Sequence, residues 1–108
     1  MRVYIAGPYS QGDKEVNVRR AIDMASTLMR LGHVPFCPHL THYIHLIHPE
    51  DYETWMSQDL EWLSVCDCVI RLTGESEGAD REVLWATAND KPVYFNLAEF
   101  MEVTPCQC

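Results

Sequence analysis

No run of apolar residues in this sequence approaches the length needed to cross a bilayer, about 20 in a row. The amino terminus passes straight into Arg2-Val3-Tyr4-Ile5-Ala6, a segment too short and too β-like for a signal peptide. No membrane partner is expected, and the setting expected is the cytoplasm. Basic residues are also few: eight Lys and Arg stand against sixteen Asp and Glu, for a formal net charge of -8. They are dispersed, with Arg19-Arg20 the only adjacent pair. Phosphate backbones are held by clustered Lys and Arg, so no nucleic-acid polymer is expected as partner. One small anion is not excluded, because backbone N–H groups at a helix start bind it without net positive charge. The five cysteines (Cys37, Cys66, Cys68, Cys106 and Cys108) are odd in number and follow no secreted disulfide framework, so reduced thiols are expected. The loop from Gly7 to Gly12 lacks a following Gly-Lys-Ser/Thr, which rules out a P-loop, and it is not the dinucleotide fingerprint.

What is present is a globular composition. Hydrophobic residues make up 47% and charged residues 22% of 108 positions, read as one domain over 1–108. A chain this size buries roughly two-thirds of the surface that it exposes unfolded. A polar cleft would take a share of that core, and a homodimer or higher homo-oligomer is expected to compensate.

Val3-Tyr4-Ile5-Ala6 reads as a buried first strand that stops at Gly7-Pro8. From Asp13 to Leu31, Val18, Ala21, Ile22, Ala25, Leu28 and Met29 recur at helical spacing, with Gly32 at the cap position. His33-Val34-Pro35-Phe36 predicts a second strand, at an edge because Pro cannot donate to a ladder. A His-rich loop then leads to Pro49, and Pro49-Glu50-Asp51 starts a helix that runs to Ser64. Cys68-Val69-Ile70 forms a third strand, Gly74 to Gly78 a loop, Ala79 to Ala88 a helix, and Pro92-Val93-Tyr94-Phe95 a fourth strand before a short amphipathic tail. Alternating strands and helices imply an α/β fold: a Rossmann-like three-layer sandwich, its mostly parallel sheet of about four to five strands covered by helices on both faces. Ligands in such folds bind beyond the carboxyl ends of the strands, which here are Gly7–Gly12 and Gly74–Gly78.

Two carboxylates fall where apolar residues belong. Asp59 lies four residues after Trp55 and four before Leu63, within the stripe Tyr52, Trp55, Met56, Leu60 and Leu63. Glu82 lies three after Ala79 and four before Ala86. A buried carboxylate without a partner is costly. The plain alternative is that each sits at the rim of its stripe or is neutralised by Arg71 or Arg81. Two on successive helices flanking one cleft point instead to a site. Carboxyls in different environments can divide glycosidic cleavage, one attacking the anomeric carbon while the other manages a proton on the leaving group.

Val3-Tyr4-Ile5-Ala6-Gly7-Pro8, then Gln58-Asp59-Leu60-Glu61-Trp62-Leu63 with Cys66-Asp67, then Ser76-x-Gly78-x-x-x-Glu82-Val83 with Ala86, resemble the nucleoside 2-deoxyribosyltransferase family, which includes the deoxynucleoside 5'-monophosphate N-glycosidases. The likeness runs from Val3 to about Val93. It implies Glu82 as a nucleophile that forms a covalent glycosyl intermediate, Asp59 as the carboxylate that protonates or positions the base, and Tyr4 as the residue that orients the nucleophile. Ser76 matches the serine that the monophosphate hydrolases place on the phosphate, where the transferases carry an acid. The hydroxyl of Ser76 with the N–H groups of Gly78 and Ala79 at a helix start suits a dianion; as a bland alternative, Ser76 is only a helix cap. Gly7, Tyr9 and Ser10 complete the expected substrate contacts. Pro8 and Tyr9 replace small polar or basic residues of the hydrolase branch, leaving Ser10 and backbone groups in that loop. The substrate implied is a small nucleoside or nucleotide, with no metal and no organic cofactor. Base exchange by a transferase, a non-catalytic nucleotide-binding module and an NAD-type glycohydrolase are the alternatives, the last constrained by the little room for a second nucleotide half.

His39, His42, His45 and His48 recur every third residue. On a helix that spacing drifts by about 60° per step, so four cannot converge on one metal although adjacent pairs could. A lid over the nucleobase is the functional use favoured for this segment. Cys106-x-Cys108 reads as a free tail. Trp55, Trp62 and Trp85 read as core or interface residues, with Trp85 one turn from Glu82.

Overall fold

Val3, Tyr4, Ile5 and Ala6 have no solvent exposure, and the strand they form, β1 (Arg2–Ala6), lies inside the sheet. The computed structural model describes residues 1–103. Four parallel strands run in the order β2-β1-β3-β4, with β2 at Val34–Phe36, β3 at Cys68–Arg71 and β4 at Val93–Tyr94. β2 is the edge strand that Pro35 requires.

Side chains alternate across β1 and β3 and so feed two cores. Val3, Ile5, Cys68 and Ile70 pack with Ala21 and Leu28 of α1 (Lys14–Arg30) and Phe100 of α5 (Leu97–Val103). Tyr4, Ala6 and Val69 pack on the other face with Leu63 of α3 (Tyr52–Ser64) and Ala79 and Ala86 of α4 (Glu77–Ala88). Helices on both faces of a parallel sheet make the three-layer, Rossmann-like architecture.

Acid or hydroxyl caps start three of these helices. Asp13 accepts from the amides of Glu15 and Val16, Asp51 from Thr54, and Ser76 from Ala79. The stripe on α1 is narrower than its spacing suggests, since Ile22 and Met29 are exposed. The segment after β2 departs from the expected loop. Pro38–Leu40 forms a 3-10 turn and Thr41–Ile47 a helix, α2. Neither start has a side-chain cap, and Tyr43, Ile44, Leu46 and Ile47 are exposed. Local signals for this helix are therefore weak; polar bonds from its histidines to other elements hold it, and those depend on tertiary structure. The expected tail is α5, whose Glu99 amide is capped by Asn96. Cys37, Cys66 and Cys68 are buried free thiols, and Cys106 and Cys108 lie outside the described residues. No helix among the described residues is long and apolar enough to cross a membrane.

Candidate active site

Beyond the carboxyl ends of β1 and β3 lies a cleft of about 520 Å³, bounded by the β1–α1 loop, α2, α3 and the start of α4. Its loops are fixed from outside. Asn17 of α1 donates to the carbonyls of Tyr9 (3.0 Å) and Gln11 (2.7 Å). Buried His39 brings Nε2 within 3.1 Å of the carbonyl oxygens of both Gly7 and Pro8, so Nε2 carries the proton and donates. On the β3–α4 side, Arg71 donates to the carbonyls of Leu72 and Gly74 and pairs with Asp80 at 3.1 Å, while Arg20 donates to the carbonyl and hydroxyl of Thr73. The two loops also meet. Gly74 has φ +117°, and a Cβ there would stand 2.8 Å from Cγ of Pro8. A Cβ on Gly7 would stand 2.9 Å from that of Leu72. Only glycine permits both approaches.

Glu82 lies on the buried face of α4, and the hydroxyl of Tyr4, on β1, donates to its Oε2 at 2.5 Å. Half-buried Asp59 faces it from α3. Burial pushes Glu82 up to about 8; Asp59 adds to the rise, while the Tyr4 hydroxyl and the charge of Arg71 oppose it. Burial likewise pushes Asp59 to about 7, with its contact to Glu82 acting downward. Burial, then the negative charges of Glu82 and Asp59, hold the Tyr4 phenol well above its ordinary value, so it remains a donor. Neither suggested arginine neutralises the carboxylates by contact, because Arg71 pairs with Asp80 and Arg81 with Glu53 at 2.7 Å. The pair therefore retains about one proton near neutrality, shared as one titrating unit.

A domain of unknown function (DUF7768) matches residues 1–96. The chain belongs to the DUF7768 family. No curated protein matches it. Among solved structures, the DUF7768 domain resembles the 2-deoxyribosyltransferase from the psychrotolerant bacterium Bacillus psychrosaccharolyticus, with a TM-score of 0.66 and 21% identity over 86% of this chain and 69% of that one. That likeness is one of fold.

The DUF7768 cleft brings together nearly every residue singled out from sequence. Gly7, Tyr9, Ser10, Asp59, Ser76, Gly78, Ala79 and Glu82 line it, and Tyr4 lies beneath, bonded to Glu82. Ser76 is the N-cap of α4, its oxygen 3.0 Å from the Ala79 amide. That amide is therefore committed, and of the two amides expected to meet an anion only that of Gly78 is left by the cap. Trp85 packs against the α3–α4 core, whereas Trp55, read as core, lines the cleft. Trp62 is exposed and stacks on Phe36, which in turn stacks on Tyr4.

Sequence reasoning missed a cation and two histidine partnerships. Lys14 lines the cleft with Nζ 5.6 Å from the centre of the Tyr9 ring; a lysine in the first turn after the loop was the available signal. His42 joins Tyr9 to Glu15, and His45 accepts from the indole N–H of Trp55 at 2.8 Å. His39, His42 and His45 line the cleft while His48 is exposed, each with its own surroundings. Among the described residues no three His, Cys, Asp or Glu side chains gather into a metal-binding group.

Proposed function

We propose that this single domain cleaves the N-glycosidic bond of a deoxynucleoside 5'-monophosphate through a covalent glycosyl intermediate on Glu82, releasing the free base. The observation that carries the reading is Glu82 itself: a buried carboxyl held at 2.5 Å by Tyr4 and set against Asp59 at the cleft. Among the described residues no Lys or Arg forms an ion pair with it. Keeping such a group buried is destabilising, and a reaction that needs it accounts for its presence.

In the first step a Glu82 carboxylate oxygen bonds to C1' as the C1'–N bond breaks. The bonding pair leaves with the base, and Asp59 supplies the proton to the base. The hydroxyl of Tyr4 steadies the carboxylate form of Glu82 beforehand. In the second step Asp59, now ionised, takes a proton from water whose oxygen bonds to C1', and Glu82 departs as carboxylate. Splitting the displacement in this way lowers the individual barriers. The chemistry calls for no metal and no organic cofactor.

Ser76, Ser10, the Gly78 amide and the Lys14 ammonium support a phosphate at the mouth of the cleft. Base exchange is the second reading. It is favoured by the fold likeness to a 2-deoxyribosyltransferase and by Glu50 and Glu77, whose charges face the same cleft. A cytoplasmic setting and a homo-oligomer belong to the proposal, the oligomer supported by the exposed apolar residues of α2.

The test is chromatography of base released from deoxynucleosides and their monophosphates, with and without an acceptor base, alongside a Glu82→Ala variant. Base release from monophosphates without acceptor, lost in the variant, is the expected result. Release only with acceptor selects the transferase. Binding without turnover in any arm means a non-catalytic nucleotide-binding module and overturns the proposal.

A further inference from the structure

His42 is buried, and both of its ring nitrogens are engaged by groups from other elements. Nε2 lies 3.0 Å from Oε1 of Glu15, and Nδ1 lies 2.6 Å from the phenolic oxygen of Tyr9. An ionised carboxylate only accepts, so Nε2 carries a hydrogen. In the neutral imidazole Nδ1 then has a bare lone pair, and the Tyr9 hydroxyl must be the donor across 2.6 Å. The Tyr9 hydroxyl thereby commits its only hydrogen to the histidine, and its oxygen keeps lone pairs alone for a group in the cleft that Tyr9 lines. If His42 gains a proton, Nδ1–H donates to the same oxygen. The Tyr9 O–H is released and can turn into the cleft as a donor. The same heavy-atom positions accommodate both arrangements.

We propose that Glu15–His42–Tyr9 is a polarity selector for the substrate group bound at the β1–α1 loop. With His42 neutral, Tyr9 accepts from a hydroxyl, as an unphosphorylated nucleoside presents. A phosphate dianion has no hydrogen to give, and it is bound at Tyr9 only as His42 takes up a proton. The inference rests on the nucleotide reading above and makes Tyr9 a specificity-determining residue, with His42 and Glu15 positioning its proton.

The charged and polar groups that face His42 and Tyr9 come from several elements. From α1, Glu15 faces it directly and Lys14 stands over the Tyr9 ring, opposite charges on adjacent residues. On its own segment, the Tyr43 ring packs edge-on at 5.2 Å and His39 is turned to the Gly7 and Pro8 carbonyls. Across the cleft stand Glu50 and Glu77, and at its floor Asp59 and Glu82.

The experiment is calorimetric titration of the Glu82→Gln protein with a deoxynucleoside and its 5'-monophosphate, in buffers of different ionisation enthalpy. Uptake of about one proton per monophosphate is expected, with none per nucleoside, so that monophosphate affinity falls about tenfold per pH unit on the alkaline side while nucleoside affinity stays flat. The uptake should vanish in His42→Gln, which bonds but does not titrate, and in Tyr9→Phe. Uptake that persists in His42→Gln belongs to the phosphate or to Asp59 and overturns the selector, as does monophosphate binding without uptake. Nitrogen NMR of the free protein gives a check that needs no ligand. A His42 ring protonated on Nε2 when neutral is expected, and the opposite tautomer overturns the proposal. If neither ligand binds while that tautomer is found, the nucleotide reading fails rather than the hydrogen-bond chain, and the substrate selection built on it falls too.

Discussion

The phenolic hydroxyl of Tyr4 and Oε2 of Glu82, 78 positions apart in sequence, meet at 2.5 Å in the buried layer between the sheet and α4. Tyr4 is itself unexposed, and nothing about its position on β1 requires a hydroxyl there except this bond. Removing the hydroxyl takes away the one neighbouring donor that favours ionised Glu82, so its pKa should climb further. Tyr4→Phe is expected to lower kcat by about 100-fold, the scale of a lost charge-stabilising donor. The acidic limb of the rate profile should move to higher pH. A pH–rate series on both proteins checks this, and an unmoved limb would show that Tyr4 does not act through Glu82.

Glu82 should also make the fold sensitive to alkali. Its folded-state value is raised from 4.5 to about 8 and that of Asp59 from 3.8 to about 7, so through that range the unfolded chain releases a proton that the folded pair retains between its two carboxyls. The contribution of this group to stability is complete below pH 4.5 and is lost as pH rises through about 8. Glu82→Gln should remove that loss. Its advantage in unfolding free energy should grow from near zero in acid to at most about 5 kcal/mol at alkaline pH. Urea melts across that range provide the measurement, and a pH-independent difference would contradict it.

Ser76 caps α4 and is also proposed to meet a phosphate, and two substitutions separate those roles. Ser76→Ala should cost about 1 kcal/mol through the lost cap. Ser76→Asp retains a capping oxygen and should melt close to the parent protein. Its charge would nevertheless raise KM for a monophosphate by about tenfold or more while leaving a nucleoside little affected. Equal effects on both substrates would remove Ser76 from phosphate recognition.

Gly74→Ala meets two obstacles together: φ is +117°, and the new methyl would press on Pro8 at 2.8 Å. The expected loss is about 2–3 kcal/mol, accompanied by reduced turnover as the two loops separate. Thermal melts paired with activity at a temperature where the variant remains folded distinguish the two effects.

The cap at Ser76, the edge position of β2 and the inward carboxylates were legible because each depends on residues near in sequence: Ser76 on the Ala79 amide just after it, Pro35 on its missing donor, Asp59 and Glu82 on their apolar neighbours. α2 was not, since its polar bonds run to Glu15 and Tyr9 upstream and Trp55 downstream. Lys14 was missed for a related reason. Its spacing marks a first helical turn, but only the folded loop turns the side chain towards the cleft. Trp55 fits a core stripe equally well as a cleft wall, and periodicity does not distinguish which end of a stripe is left open.

Between β2 and α3, residues 40–50 contribute no strand to the sheet, and their apolar side chains largely face outward. The carboxylate pair and its tyrosine stand instead on β1, α3 and α4, each anchored in the core. Replacement, lengthening or redesign of 40–50 would consequently reshape the outer wall of the cleft while the framework beneath it keeps its geometry. Chemistry and selectivity are thus carried on separable stretches of chain, so one can diverge among relatives, or be engineered, without the other having to change in step.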